Sequence, residues 1–303
     1  MTRRLAAAIL GCVLGVLVAC QTDPAPVSVA ADPAYAERIE SYREGRNERI
    51  RTSWLSLSGL HWLEEGDNRF GSATDNEIVF PADASPALAG TLVYSEGEVF
   101  LDPVAGSGLK VNGHTLRPVK SKLKLEPDGQ QLGLGRLEFF LIARSGKHGI
   151  RVRDPELPAV RDFEGIDFYP IDPSYIIEGK LRPFPETQTL TIETVIGHDT
   201  QMKSRGTVEF EFAGTTHRLV AMGESEELFL MFKDETSGNE TYSAGRYLYA
   251  PVVDDIVTLD FNMAYNPPCA FTPYATCPLP PYGNTIAAKI EAGERGNGPG
   301  KHK

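Results

Sequence analysis

The chain has 303 residues, 30 Lys and Arg against 41 Asp and Glu, and a formal charge of −11. A hydrophobic fraction of 41% excludes a disordered or collagen-like chain, and the length suits one large domain or two smaller ones. The acidic balance speaks against nucleic acid as a partner, and four cysteines do not make a disulfide scaffold.

At the N-terminus, Arg3 and Arg4 precede a run from Leu5 to Ala19 that is apolar or Gly apart from Cys12. This is the charged and apolar order of a secretory signal, too short for the roughly 20 residues of a permanent membrane span. The run ends Leu17-Val18-Ala19-Cys20, which resembles the lipobox of bacterial lipoproteins. The resemblance implies a signal peptide over 1–19, acyl chains on Cys20 and a lipidated tether over 20–31. Gln21 follows the cysteine in place of Asp, so the outer membrane, facing the periplasm, is expected over the inner one. The N-terminal lipid anchor is then the membrane contact. Cleavage removes Arg3 and Arg4 and no acid, so charge does not hold the protein to anionic lipid.

Residues 32–67 read as a helix and its lead-in. Asp32-Pro33 is a cap followed by a proline at the first helical position. The charged stretch to about Arg51 keeps Tyr35, Ile39, Tyr42 and Ile50 as a narrow apolar stripe. Residues 68–150 then read as a β-sandwich, with short runs at 77–80, 97–101 and 137–142 between Gly, Asp, Asn and Pro, and a tight turn at Asn112-Gly113. The stretch 151–184 holds five prolines and reads as an extended crossover. Residues 185–294 form a second β-unit, a barrel or a curled sheet. There Val208, Phe210 and Phe212 alternate with polar residues, and 228–233 and 241–249 flank a turn at 236–239 as a hairpin. Residues 295–303 lack any apolar side chain and read as a disordered tail. The expected fold is mainly β, two β-rich units with one N-terminal helix.

Three stretches resemble the bacterial domain of unknown function 1684 family: 245–248 (GRYL), 259–281 (LDFNMAYNPPCAFTPYATCPLPP) and 291–294 (EAGE). The 58–66 stretch (SGLHWLEEG) resembles it too, so the likeness runs from about residue 40 to 294. It implies membership and no activity. The first unit is also faintly similar to a forkhead-associated (FHA) sandwich, through Arg69-Phe70-Gly71-Ser72, Ile78-Val79-Phe80-Pro81 and Val111-Asn112-Gly113. The Gly-Arg pair and the Ser-x-x-His segment of that family are not kept. Residues 85–91 read SPALAGT, so no phosphothreonine site is carried over.

Chemistry concentrates around 242–277. Alternation puts Val257, Leu259 and Phe261 on one face of a strand and Thr258, Asp260 and Asn262 on the other. Asp260 and Asn262 make a carboxylate-amide pair, with Tyr265 and Asn266 next and Arg246 and Tyr242 expected to reach Asp260 across the ladder. That set suits a small polar ligand. It equally suits a hydrolase on an envelope polymer or small polar substrate with Asp260 as acid/base, or a purely structural module in which Arg246 and Asp260 are a buried pair. Cys269 and Cys277 are expected to form a disulfide, with a redox or nucleophilic pair and a metal pair as alternatives. No His lies between residues 262 and 292 and the six His show no ligand spacing, so no metal or cofactor is expected. Arg144, Arg151, Arg153, Arg161 and Arg182 read as a solvated face pairing with Asp154, Glu156 and Asp162, an anion-holding patch being the alternative.

Overall fold

The computed structural model describes residues 33–116 and 122–296, so the signal, Cys20 and the tether lie outside the described residues. Helix α1 (Pro33–Arg49) starts on a proline, whose fixed φ suits that position. Its buried residues Tyr35, Ile39 and Arg46 continue into the buried Ile50, a stripe at helical spacing. The helix then widens into one π turn, Ile50–Trp54, in which the Leu55 N–H donates to the Ile50 carbonyl at 2.9 Å. No helix among the described residues is long and apolar enough to cross a membrane.

Eleven strands follow: β1 (Leu57–Trp62), β2 (Gly66–Gly71), β3 (Ile78–Val79), β4 (Gly90–Ser95), β5 (Glu98–Pro103), β6 (Lys110–Val111), β7 (His114–Thr115), β8 (Leu123–Leu125), β9 (Leu132–Leu134), β10 (Leu137–Arg144) and β11 (Lys147–Arg153). They form a six-stranded sheet in the order β1-β11-β10-β9-β6-β7 and a five-stranded one in the order β3-β2-β4-β5-β8. One core lies between them: Phe70, Leu92 and Leu101 meet Leu132, Phe139, Ile150 and Val152. Asn112 and Gly113 join β6 to β7 with φ of 49° and 79°, the positive pair that a two-residue hairpin turn requires.

From β11 the chain runs through α2 (Pro158–Arg161) and a 3-10 turn, Pro173–Tyr175, into β12 (Ile176–Glu193). The proline-rich stretch is therefore shorter than its composition implies, because Pro183 lies inside a strand, at an irregularity in its pairing. With β13 (Asp199–Phe212), β14 (Thr215–Met222), β15 (Glu227–Phe232), β16 (Arg246–Val253) and β17 (Ile256–Asp260), β12 makes a closed antiparallel barrel. Of barrel and curled sheet, the barrel is what forms: β17 pairs back on β12 through Ile177 with Leu259 and Gly179 with Val257.

Alternation fills the barrel with Val208, Phe210, Leu228, Leu230, Leu248, Ala250, Val257 and Leu259. One short seam is β14 with β15, which pair only at Ala221 with Leu230 and Met222 with Phe229. The buried Asn284 side chain completes that seam. Its Oδ1 accepts the Val220 N–H at 2.8 Å, and its Nδ2 donates to the Val220 and Met231 carbonyls at 2.9 Å each. Residues 261–296 wrap the barrel in turns and bridges. Arg295 and Gly296 do not belong to a disordered tail: their N–H groups donate to the carbonyls of Asp167 and Glu240 at 2.8 and 3.0 Å. Residues 297–303 lie outside the described residues.

Candidate functional site

The residues singled out in the sequence separate into a clamp and a cavity. The expected contact of Arg246 with Asp260 is not formed. The β16–β17 ladder pairs Val252 with Val257 and Val253 with Ile256, which leaves Arg246 at the far end of its strand, inside the barrel. There it is fully buried and ion-paired with Asp234 at 2.8 Å. It also donates to the carbonyls of Ala292 at 2.6 Å and Ile290 at 2.8 Å. Asp260 instead accepts the Tyr35 hydroxyl of α1 at 2.9 Å and the Asn262 N–H at 3.1 Å. Burial raises its carboxyl above the usual range, against the lowering effect of those hydrogen bonds.

The other members are also fastened. Asn262 exchanges two hydrogen bonds of 2.9 Å with the backbone of Asp172. The Nδ2 of Asn266 donates to the Arg295 carbonyl at 2.8 Å, and the Tyr242 hydroxyl donates to the Cys269 carbonyl at 3.2 Å. Glu294, in the EAGE segment, is fully buried. Its carboxylate accepts Arg46 Nε of α1 at 2.7 Å and the Asn266 N–H at 2.9 Å. Gly293 is required there: φ is +77°, and a Cβ would stand 2.3 Å from the Ala264 carbonyl oxygen.

Cys269 and Cys277 are both free thiols, so the expected disulfide is not formed in the structure. The two sulphurs interact by hydrogen bonding instead, and the Cys269 N–H donates to Cys277 Sγ at 3.3 Å. The hydrogen bond from Cys277 holds the Cys269 thiol below its ordinary value, while that same contact and burial push Cys277 far above it.

The cavity lies between α1, the outer face of the six-stranded sheet and the barrel, and measures about 350 Å³. Of the sequence candidates, Tyr265 and Cys277 line it, and so do Arg144 and Arg151. The expected solvated arginine face is thus only partly formed. Asp154 and Glu156 are taken by Arg136 at 3.0 and 3.6 Å, Arg161 pairs with Asp162 at 2.7 Å, and Arg182 pairs with Glu209 at 2.6 Å. On β11, Ile150 and Val152 enter the sandwich core, so strand alternation turns Arg151 outward to the barrel.

Arg151 is the unusual group. It is 6% exposed, and among the described residues it has no carboxylate within salt-bridge distance and a buried Nε without a hydrogen-bond partner. It rests over the Trp54 ring at 5.7 Å. Burial, with Arg144 repelling it, pulls Arg151 down to about 10, which leaves it cationic at neutral pH. Arg144 shares its charge with Asp128 at 3.1 Å, and Arg46 is neutralised by Glu294 and lies over the Tyr265 ring at 4.5 Å. Arg49, exposed at the end of α1, adds a further guanidinium at the rim.

The opposite wall is aromatic. While Leu228, Leu230, Leu248 and Ala250 point into the barrel, Phe229, Tyr247 and Tyr249 point out. Phe229 stands edge-on to Tyr247 at 4.9 Å, and Tyr249 lies parallel to Tyr265 at 6.2 Å. Burial holds the phenols of Tyr247 and Tyr265 well above their ordinary value, so they remain neutral. Arg46, Arg49, Trp54, Phe229 and Tyr249 carry no motif signal, and Tyr247 lies in the GRYL stretch without being singled out as a site residue. Outward aromatics at period two on a strand and Arg46 on the helical stripe are the traces they leave in the sequence. The arrangement can take an anion against Arg151 and hold a flat apolar group on the rings.

Residues 161–295 match the family model described as protein of unknown function (DUF1684). The match takes in the barrel half of the chain. All three C-terminal stretches fall inside that match, and 58–66 falls outside it. Arg246 and Glu294 lie within the matched residues, and Arg46, the partner of Glu294, lies outside them. An uncharacterized protein of Haloarcula marismortui, solved by NMR in solution, is 33% identical over 47% of this chain and 83% of its own, with a TM-score of 0.40. The FhaA FHA domain, solved with the intracellular domain of Rv3910, is 20% identical over 31% of this chain and 97% of its own, with a TM-score of 0.22. An FHA domain from a study of phosphothreonine-dependent interactions is 20% identical over 31% of this chain and 92% of its own, also at 0.22. No curated protein matches the chain.

Proposed function

We propose that this is a lipid-anchored envelope protein that binds a small anionic ligand in the arginine and aromatic cavity. The anchor rests on the lipobox-like Leu17-Val18-Ala19-Cys20 and the tether that leads to α1. The binding role rests on one observation, the buried Arg151, which has an unpartnered Nε and no carboxylate partner among the described residues. A buried charge costs folding free energy unless a partner compensates it, and the cavity beside Arg151 leaves room for that partner. A volume of about 350 Å³ suits a ligand of metabolite size. With the rings opposite, the favoured ligand carries its phosphate or carboxylate on an aromatic or flat apolar body. Thermal unfolding with matched additives tests this. Phenyl phosphate and benzoate raise Tm, and phenol and benzylamine do not. Equal shifts from all four, or none from the anions, contradict the reading.

A further inference from the structure

Cys277 lines the same cavity, between Thr276 and Pro278. Its partner Cys269 lies behind that wall, touching Cys277 through its backbone N–H at 3.3 Å and through the hydrogen-bonded sulphurs. Both ends of the connecting loop are pinned. The Cys277 carbonyl accepts the Val195 N–H at 2.9 Å, and the Asn266 N–H is held by Glu294. A 3-10 turn, Pro268–Ala270, fixes the direction of Cys269. Two thiols so held lie in one buried cluster with Met231 and Tyr247, yet one of them faces an open cavity.

Building on the ligand reading above, we propose that Cys269 and Cys277 are a reversible dithiol–disulfide couple that sets the affinity of the arginine cavity for its anion. Closure is thiol–disulfide exchange with a disulfide donor, protein or small molecule. One thiolate of the pair attacks a donor sulphur, breaking the donor S–S bond and releasing one donor thiolate. The second thiol gives up its proton and attacks the mixed disulfide, releasing the other donor sulphur. One S–S bond forms in the protein, and the donor leaves as two thiols, carrying two electrons and two protons. The lowered Cys269 thiol makes a thiolate available for the first attack. The coupling has an electrostatic origin: in the reduced pair the negative charge sits on Cys269, directly against the Cys277 wall that the cavity shares with Arg151, and the closed disulfide carries none. The anion therefore binds more tightly to the oxidised protein.

The full chain, reduced with dithiothreitol and desalted or oxidised with excess glutathione disulfide and desalted, is titrated with phenyl phosphate at pH 8, and the bond is mapped as a peptide linked through Cys269 and Cys277. The expected result is that link, lost again on reduction, with affinity about fivefold tighter in the oxidised form, the lower end of ordinary coupling between sites. Cys269→Ser keeps the reduced affinity and loses the response to oxidation. A pair that stays reduced overturns the proposal, as does a mapped link that leaves the phenyl phosphate affinity unchanged. Absence of phenyl phosphate binding in both states overturns the ligand reading and the coupling together, and the mapped link shows separately whether the couple exists.

Discussion

Two arginines, Arg246 and Arg151, are both buried among aromatic rings, and they are built in opposite ways. Arg246 has its carboxylate, Asp234, at 2.8 Å and two backbone carbonyls beyond it. Arg151 has neither a carboxylate nor a carbonyl partner among the described residues and faces a cavity, although the Nε of each arginine is without a partner. A satisfied buried charge is a fastening, worth most to the fold when its partner stays. An unsatisfied one is spare capacity, and the molecule is explained when something supplies the missing anion. The conspicuous motif residues belong to the first kind, and the functional reading follows the second.

The difference can be broken first at the clamp. Arg246→Met leaves the Asp234 carboxylate buried with only the hydrogen bonds of Thr236 and the Ile290 N–H, and should cost about 3–5 kcal/mol in urea unfolding. Adding Asp234→Asn should recover part of that loss; a single variant as stable as the parent would remove Arg246 from the clamp. Gly293→Ala, at positive φ and against the Ala264 carbonyl, should cost about 1–3 kcal/mol by the same measurement.

Asp260 gives a smaller, pH-dependent effect. Its folded pKa is raised, so the folded state holds the proton more tightly than the unfolded chain. Ionisation then weakens the fold as pH rises above the unfolded value of about 4, and the penalty is absent below it. Against Asp260→Asn, wild type should lose Tm on going from acid to neutral pH. A parallel pair of Tm profiles would show that burial does not control this carboxyl.

Much of the architecture is legible in the sequence because alternation and turn chemistry are local. The stripe of α1, the Asn112-Gly113 turn, and the inward Val208 and Phe210 follow from residues a few positions apart. The site was not legible in the same way. Asp260 and Arg246 lie on neighbouring strands, but register decides whether they meet, and a ladder pairing Val252 with Val257 keeps them apart. Arg151, Trp54 and Phe229 come from the sandwich, the π turn and the barrel, and nothing local in sequence relates them. The arginine run was readable as an anion patch or a solvated face. Arg136 takes Asp154, Arg144 takes Asp128, and Arg151 is left facing the cavity.

The most direct test compares wild type with Arg151→Gln by urea unfolding and by calorimetric titration with phenyl phosphate. The expected change in unfolding free energy is below about 1 kcal/mol, since no ion pair is broken. Phenyl phosphate affinity should fall about tenfold or more, the worth of a charge-assisted hydrogen bond. A variant destabilised by several kcal/mol that binds phenyl phosphate as wild type does would contradict the ligand reading, and would place Arg151 with Arg246 among the fastenings.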